Sequence, residues 1–575
     1  MLKRVFSYMR EYKKYAWSGL LCIGVEVVLE ITVPLLMADL IDYGVTNADG
    51  TYIIKKGLQM ALCAVLALIL GVGSAKFSAL AGQGLGANIR KAEYEKLQSY
   101  SFSNIDHFSV SSLVTRLTSD VTNIQNAVST GMRPFGRSPV MLIFATSFAF
   151  RINSTLALVF LVALPTLAVL LILIIINVGP LYGRMQSAID QVNRCIQENL
   201  TAIRVVKSYV RGDYEVEKFG VVNENLKSES EKAFGTAVLN MPAMQFVMYG
   251  TIIGILLIGG RLINEGQMMI GQLTSFLSYV LLILNSLMMM SNVFLLMTRS
   301  LASADRIMEV IDEKIDITDE NAKDIAVAKG EIEFDHVWFK YKDTAKEYVL
   351  SDVSFHIKPG QTVGIIGQTG SSKTTLVQLI PRLYDVTKGE VKIDGINVKE
   401  YPVRHLRDAV AMVLQKNTLF SGSLIDNLRW GNENATLDEI KEACQIACVD
   451  EFVDRLADGY DTEMGQEGVN VSGGQKQRIC IARAILKKPK VLILDDSTSA
   501  VDTATEAKIR SGLAEKLPDM TKIIIAQRIS SVRHADQIII MDRGHVEAIG
   551  THESLLRDNQ IYQEIYASQK EGADL

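Results

Sequence analysis

The chain has 575 residues, of which 48% are hydrophobic, and its mean hydropathy is +0.19. This composition is too apolar for a fully soluble protein of this length, so membrane-spanning helices are expected. A formal net charge of −5 argues against a nucleic-acid partner. The six cysteines form no CxxC pair and no cluster with histidine, which disfavours a structural zinc site or a disulfide framework.

The first half of the chain contains six long apolar stretches. A helix needs about 20 apolar residues to cross a bilayer, and five of the stretches meet that length alone. The third meets it when it is extended back through residues 131–138. The sequence therefore predicts six spanning helices, with a tight turn at residues 151–155. The stretches are residues 16–40, 57–81, 139–150, 156–178, 242–263 and 268–297.

Basic residues are concentrated at the N-terminus and in two long segments, residues 83–137 and 181–240. The positive-inside rule places all three on the cytoplasmic side of a cell membrane. Both segments are rich in helix formers, so we expect the spanning helices to continue into the cytosol. After residue 330 the pattern changes to alternating strands and helices, which indicates a cytoplasmic α/β domain. The predicted organisation is a transmembrane domain at 1–305, a linker at 306–329 and an α/β domain at 330–575.

A glycine-rich loop follows the predicted strand at residues 362–366 and precedes a helix. This context is typical of a loop that binds nucleotide phosphates through its backbone amides. Its lysine is expected to reach the β- and γ-phosphates and the next threonine to bind Mg²⁺. A serine replaces the usual glycine before the lysine, which we expect to be tolerated if that residue stays near right-handed helical geometry. The loop comprises Gly367, Gln368, Thr369, Gly370, Ser371, Ser372, Lys373, Thr374 and Thr375.

Two further motifs accompany the loop. The apolar strand at 491–494 ends in Asp495, at the position of a carboxylate partner for Mg²⁺. Between the two motifs lies a run that resembles the signature sequence of the ATP-binding cassette (ABC) transporters. The resemblance extends to an adenine-stacking aromatic (Tyr341), the glutamine loop (Gln415), the D-loop from Ser499 to Asp502, and the loop at 462–468. The signature residues are Ser472, Gly473, Gly474 and Gln475.

This resemblance covers nearly the whole chain and implies a half-exporter of a bacterial cell membrane, similar to subunits of heterodimeric multidrug exporters. Its expected fold is a six-helix transmembrane domain fused to a phosphate-loop NTPase cassette. It implies ATP and Mg²⁺ as cofactors, with Thr374, Gln415 and Asp495 around the metal. It also implies a dimer, in which each ATP lies between one phosphate loop and the signature of the other subunit. Residues 108–120 and 203–219 resemble the coupling segments that transmit cassette motion to the membrane helices.

Two positions depart from the family pattern, and both concern hydrolysis. The family places a glutamate, the general base, where this chain has Asp496, and a histidine where it has Gln527. Aspartate is shorter by one C–C bond, and glutamine carries no titratable proton. We therefore expect a degenerate site that holds ATP, in a heterodimer with a second, non-identical half-exporter. The alternative is a homodimer that hydrolyses slowly.

The transported substrate is less constrained. Glu26 and Glu30 lie four residues apart in the first spanning helix, hence on one helical face. They are candidates for a cavity wall that accepts small, cationic, amphipathic compounds such as drugs; structural pairing or contact with the interface is an equal alternative. Export of lipid or peptide, or a regulatory role without transport, remain alternative functions.

Overall fold

The computed structural model describes residues 2–342, 344–497 and 500–571, and the chain divides into two compact units. The helical unit comprises Met1–Leu97 and Ser111–Asp312, and the cassette unit comprises Gln98–Val110 and Glu313–Leu575. Each unit contains its own hydrophobic cores. The structural division falls at Asp312, where the last long helix ends; the boundaries at residues 305 and 329 remain predictions.

The helical unit is built of long helices joined by very short connections. Its longest helix, of 49 residues, extends for about 70 Å, well beyond the thickness of a bilayer, as expected for helices that continue into the cytosol. Short π-helical turns occur at Leu40–Val45 and Arg116–Asp120. The helices are Leu2–Ser7, Lys13–Asp39, Gly50–Gln98, Val110–Thr115, Val121–Ser129, Met132–Ile152, Ser154–Ala157, Val159–Thr201, Ile203–Ser208, Gly212–Val238, Asn240–Asn264 and Ile270–Asp312.

Five helical segments among the described residues are long and apolar enough to cross a membrane. They correspond to the first, second, fourth, fifth and sixth predicted spans. The third predicted span also forms a helix, Met132–Ile152, but it carries Arg133, Arg137 and Arg151. The predicted tight turn follows it: Asn153 is extended and its side chain accepts a hydrogen bond from the amide of Leu156, 3.0 Å away.

Among the residues that the structure describes, the cassette unit contains twelve strands. Two short strands, Gly422–Ser423 and Glu463–Met464, form a small antiparallel pair. The other ten strands form two larger sheets. The two strands that the sequence predicts at residues 362–366 and 491–494 are present, with ends that agree within one residue. The strands are β1 (Ile332–Phe339), β2 (Leu350–Ile357), β3 (Thr362–Ile366), β4 (Lys388–Ile393), β5 (Ile396–Asn397), β6 (Val410–Val413), β7 (Gly422–Ser423), β8 (Glu463–Met464), β9 (Val491–Asp495), β10 (Thr521–Ile525), β11 (Gln537–Asp542) and β12 (His545–Gly550).

The larger sheet has the order β12-β11-β3-β10-β9-β6, and the second has the order β2-β1-β4-β5. In the larger sheet β3, β10, β9 and β6 are parallel neighbours. All five residues of β9 are buried, and so are those of β10, which explains their nearly continuous apolar sequences. Parallel neighbours bring their carboxyl ends to one edge. The residues that follow these four strands therefore meet there.

Helices cover the sheets and connect their strands. One short helix, Phe102–His107, is contributed by the segment that joins two long helices of the helical unit. The others are Lys373–Gln378, Val403–Ala409, Leu424–Arg429, Leu437–Ile446, Asp450–Val453, Gly473–Leu486, Thr503–Lys516, Ile529–Val532, His552–Asp558 and Gln560–Glu571.

Candidate nucleotide site

The phosphate loop runs from the end of β3 into the helix Lys373–Gln378. At its start Gly367 is required, because a Cβ there would lie 2.2 Å from the carbonyl oxygen of Met541. The ammonium of Lys373 donates to the carbonyls of Gly367 and Gln368, at 2.8 and 2.9 Å. Burial lowers the pKa of Lys373, while Asp496 and Asp495 act in the opposite direction. The lysine is thus held in place within the loop.

Ser372 does not have the backbone conformation expected from the sequence. Tolerance of serine was expected to depend on right-handed helical geometry, but this residue has φ +71° and ψ +24°, in the left-handed region. That expectation was wrong. Left-handed geometry costs a residue with a Cβ about 1–2 kcal/mol relative to glycine. The loop therefore keeps the conformation that glycine would favour and stores this strain at Ser372.

Thr374 and Asp495 lie together at the edge of the sheet. The Thr374 hydroxyl donates to Oδ1 of Asp495 at 3.0 Å, and burial raises the pKa of the Asp495 carboxyl. Its other oxygen, Oδ2, is buried without a hydrogen-bond partner. A buried carboxylate oxygen without a partner beside a threonine hydroxyl fits Mg²⁺, which prefers oxygen ligands and needs only one or two carboxylates when phosphates supply the rest. These residues fit the metal that the sequence predicts.

Asp496 and Gln527, the two departures from the family pattern, are in direct contact. Gln527 Nε2 donates to Oδ2 of Asp496 at 2.8 Å. Asp496 has φ +49° and its amide donates to the carbonyl of Ile525 at 3.1 Å, so the residue turns sharply out of β9. Burial raises the pKa of Asp496, while hydrogen bonding by Gln527 and the charge of Lys373 oppose that shift. The carboxylate is thus oriented by a neutral amide.

Most of the predicted site residues line one pocket. Gln415, two residues past β6, faces the same space as the loop and the two aspartates. Tyr341 lies at the side of the loop, where its hydroxyl is 2.9 Å from that of Thr375 and its ring is 44% exposed. The predicted residues that line the pocket are Thr369, Gly370, Ser372, Lys373, Thr374, Gln415, Asp495, Asp496 and Gln527.

The signature residues lie at the N-terminus of the helix Gly473–Leu486 and do not line this pocket. Ser472 caps the helix: its hydroxyl accepts from the amide of Gln475, whose side chain accepts from the Ser472 amide at 2.8 Å. Ser472 and Gly473 are exposed. Gly474 has no room for a Cβ, which would lie 2.7 Å from the carbonyl oxygen of Ala500. This N-terminus is therefore rigid, and Ser472 and Gly473 are accessible.

The D-loop adjoins the signature helix. The amide of Ala500 donates to Gln477 Oε1 at 3.1 Å. Asp502 begins the helix Thr503–Lys516, where its carboxylate accepts from the amide of Thr505 at 3.0 Å. Ser499, the first residue of the predicted D-loop, lies outside the described residues. The part of the loop that is described thus packs against the helix that the signature begins.

The first cytoplasmic segment contributes a helix to the cassette unit. This helix, Phe102–His107, directly precedes residues 108–120, whose role as a coupling segment stays a prediction. Tyr384 donates to Oδ2 of Asp106 at 2.6 Å. The Tyr384 ring also meets that of Tyr341 edge-on, with 5.1 Å between centroids. A chain of aromatic contacts therefore links this segment to the side of the phosphate loop.

In the helical unit, Glu26 and Glu30 form ion pairs with two arginines of the helix Met132–Ile152. Oε1 of Glu26 accepts from Arg133 at 2.6 Å and from Arg137 at 3.2 Å, and Glu30 accepts from Arg137 at 2.7 Å. Gly71 on the neighbouring helix makes room, since a Cβ there would lie 3.2 Å from both Arg133 and Glu26. We call Glu26, Glu30, Arg133 and Arg137 the charge quartet. Its contacts favour the pairing alternative for the two acids.

Sequence patterns identified most residues of the pocket. They missed the arginines that pair with Glu26 and Glu30, and they missed Gln569, which holds the backbone around Gln527. The arginines of the charge quartet were not identified, because they lie more than 100 positions from the glutamates. Gln569, whose side chain binds the backbone around Gln527, belongs to no motif. Only the arginines could have been anticipated from the sequence, because Glu26 and Glu30 are two charges in a predicted spanning helix and such charges need partners.

Two protein families match this chain. Residues 17–287 match the ABC transporter transmembrane region, and residues 350–499 match the ABC transporter family. A solved structure of a bacterial Atm1-family ABC exporter with ATP bound has the same fold, with a TM-score of 0.83 and 23% identity over 97% of this chain and 99% of that one.

Curated relatives extend over the full length. An uncharacterized ABC transporter ATP-binding protein of Bacillus subtilis (strain 168) is 38% identical over 100% of both chains. A Staphylococcus aureus (strain NCTC 8325 / PS 47) protein with the provisional name multidrug export ATP-binding/permease protein is 32% identical over 99% of this chain and 100% of its own. The chain belongs to the ABC transporter family. It is an exporter half-transporter with membrane-embedded helices and a cytoplasmic ATPase cassette.

Proposed function

We propose that this chain is one half of a heterodimeric exporter and that its own phosphate loop holds ATP more than it hydrolyses it. Its signature, Ser472–Gln475, would complete the hydrolytic site of a non-identical partner subunit. The observation that carries the proposal is the contact between Asp496 and Gln527, 2.8 Å long. At the position of the general base, the carboxylate is short and accepts a hydrogen bond from a neutral amide.

The distribution of groups around the pocket supports a binding role. Lys373 is held against the carbonyl of Gly367 in its own loop, where its ammonium is available to phosphates. The Thr374 hydroxyl contacts Asp495, so two oxygen ligands suited to Mg²⁺ lie together. When bound, Mg²⁺ neutralises charge on the β- and γ-phosphates. Thr374, Gln415 and Asp495 would hold the metal, and Tyr341 would stack on the adenine.

The hydrolytic step depends on fewer groups, and both of them are changed. A general base contributes about 10²–10⁴-fold to rate when it lies within hydrogen-bond reach of the water proton. Aspartate retracts the carboxylate by about 1.5 Å, the length of one C–C bond. The family's histidine contacts the γ-phosphate. In its place Gln527 can still donate a hydrogen bond to an oxygen of the γ-phosphate, but it cannot exchange a proton. Binding is thus expected to persist while turnover is slow.

The exposed signature supports a role in a second site. Ser472 and Gly473 are exposed and lie outside the chain's own pocket. In the arrangement that the family implies, this helix N-terminus would approach the γ-phosphate of ATP bound to the other subunit. A partner with glutamate and histidine at the positions of Asp496 and Gln527 would make that site competent.

The test is the ATPase rate of the full-length chain purified alone, compared with the rate of the chain isolated together with its partner. We expect the pair to exceed the single chain by about 10²-fold or more, which is the loss of general-base help. A chain that hydrolyses alone as fast as the pair contradicts the proposal and supports the slowly hydrolysing homodimer. Nucleotide binding by the chain alone serves as the control for folding.

For the substrate, we propose small amphipathic compounds, including drugs, since the Staphylococcus aureus relative is provisionally named for multidrug export. Directional flux of an amphipathic dye into inverted vesicles that contain the complex is the expected result. Flux of lipid or peptide instead would replace this substrate class. ATP binding without any flux would favour a regulatory subunit.

A further inference from the structure

The last helix among the described residues, Gln560–Glu571, is anchored firmly to the cassette. Tyr562 is completely buried, and its hydroxyl lies 2.7 Å from Nδ1 of His552 in the preceding helix. Ile561 and Ile565 pack against the adjoining core. The helix therefore presents its remaining side chains from a fixed position.

Gln569, on the last turn of this helix, binds the backbone on both sides of Arg528. Its Nε2 donates to the carbonyl of Gln527 at 2.7 Å, and its Oε1 accepts from the amide of Ile529 at 2.8 Å. Ile529 begins a helix of four residues, whose first amides lack partners within the helix. One side chain thus satisfies two backbone groups in the segment that carries Gln527.

The backbone of Gln527 is consequently held from both sides. The preceding amide, that of Ala526, donates to the carbonyl of Ile365 at the end of β3, and the carbonyl of Gln527 itself is bound by Gln569. With the backbone fixed, the side chain of Gln527 is directed at Asp496. Rotation of this peptide group would move the Gln527 amide away from the pocket.

We propose that Gln569 is a positioning residue of the nucleotide site: its two hydrogen bonds orient Gln527, and through Gln527 they set how strongly the site distinguishes ATP from ADP. This inference rests on the proposed function, in which Gln527 faces the γ-phosphate. Gln569 does not line the pocket. It makes the C-terminal helix part of the machinery that recognises the third phosphate.

The experiment compares the affinities of the full-length chain for ADP and for a non-hydrolysable ATP analogue, both with Mg²⁺. In the Gln569→Ala variant we expect the affinity for the analogue to fall about two- to tenfold, the range for one hydrogen bond. The affinity for ADP should change by less than the affinity for the analogue, because Lys373 and Tyr341 are untouched. Equal losses for both nucleotides, or no loss, would overturn the proposal.

A matched control is available on the same helix. Nε2 of Gln563 donates to the carbonyls of Leu556 and Arg557, at 2.9 and 3.1 Å, away from the nucleotide site. Gln563→Ala removes two comparable hydrogen bonds and should leave the ratio of the two affinities unchanged. Gln569→Glu keeps the acceptor for Ile529 but loses the donor to Gln527, so an intermediate ratio is expected. A shift in Gln563→Ala equal to that in Gln569→Ala would assign the effect to helix packing.

A double-mutant cycle separates this proposal from the function on which it rests. If Gln569 acts through Gln527, the variant that combines Gln569→Ala with Gln527→Ala should discriminate no worse than Gln527→Ala alone. Additive losses would overturn the inference. If Gln527→Ala itself leaves the ratio unchanged, the γ-phosphate role of Gln527 fails and the inference fails with it. If only Gln569→Ala has no effect, the proposed function stands without it.

Discussion

Two pairs of carboxylates in this chain are held in opposite ways. Asp495 and Asp496, at the edge of the larger sheet, receive hydrogen bonds from neutral groups, the hydroxyl of Thr374 and the amide of Gln527. Glu26 and Glu30, in the first spanning helix, receive them from two guanidinium groups. The first pair shares a pocket with the phosphate loop. The second pair contributes to a cluster whose formal charges sum to zero.

The difference separates a site from a structural contact. Oδ2 of Asp495 and Oε2 of Glu26 are both buried without a hydrogen-bond partner, so the difference lies in the partners that are present. Asp495 receives its hydrogen bond from a neutral hydroxyl, and Mg²⁺ would supply the cation. Carboxylates that stabilise a fold carry their counterions with them, since an unpaired charge in a bilayer is costly. The charge quartet also accounts for Arg133 and Arg137, two of the three arginines of the helix Met132–Ile152. On this comparison the glutamates are expected to join two helices rather than to attract cationic substrates.

The largest effect is expected when the hydrolytic positions are restored. The double substitution Asp496→Glu and Gln527→His returns the longer base and the titratable group, so the ATPase rate of the full-length chain should rise about 10²–10⁴-fold. Rates of phosphate release from the chain alone and with its partner provide the measurement. Asp496→Asn with Gln527→His is the matched control, because it restores the histidine but removes the carboxylate. If the restored variant stays as slow as the control, these two positions are not the cause of slow turnover.

Breaking the charge quartet should chiefly affect stability. Glu26 has a side chain that is 6% exposed and binds both arginines, whereas Glu30 is 35% exposed. Glu26→Gln should therefore lower the free energy of unfolding, but by less than the value of about 3–5 kcal/mol for a fully buried pair, because Arg133 is 42% exposed and Arg137 keeps Glu30. Glu30→Gln should lower it less than Glu26→Gln. The measurement is the thermal midpoint of the full-length protein in detergent.

Transport assays complete this test. If the quartet is structural, export of cationic and of neutral compounds should fall together in Glu26→Gln. The double substitution Glu26→Gln and Arg133→Gln should recover part of the stability, because it leaves Glu30 paired with Arg137 and no full charge unpaired in the quartet. Selective loss of cationic export at unchanged stability would instead assign the acids to a substrate cavity.

The sequence was sufficient where one local pattern determines the structure. Apolar runs with a carboxylate or a glycine-rich loop at their ends predicted β3 and β9, and parallel pairing then brought Lys373, Asp495 and Gln527 to one edge. It was insufficient where the partner is distant or the residue type is ambiguous. No local pattern connects Glu26 with Arg133, or Gln569 with the backbone of Gln527. A serine alone does not reveal a left-handed backbone.

The smallest expected effect concerns Ser372. Ser372 has φ +71°, and glycine would remove about 1–2 kcal/mol of strain at an entropic cost of about 0.5–1 kcal/mol. Ser372→Gly should thus stabilise the full-length protein by a net of about 0.5–1 kcal/mol, seen as a higher thermal midpoint, and it should not weaken ATP binding. The neighbouring Ser371 is buried and accepts a hydrogen bond from Lys373, and it is not among the residues with positive φ. Ser371→Gly should therefore destabilise the protein and lower its thermal midpoint. If both variants shift the thermal midpoint equally, relief of backbone strain at Ser372 is not the cause of the stabilisation.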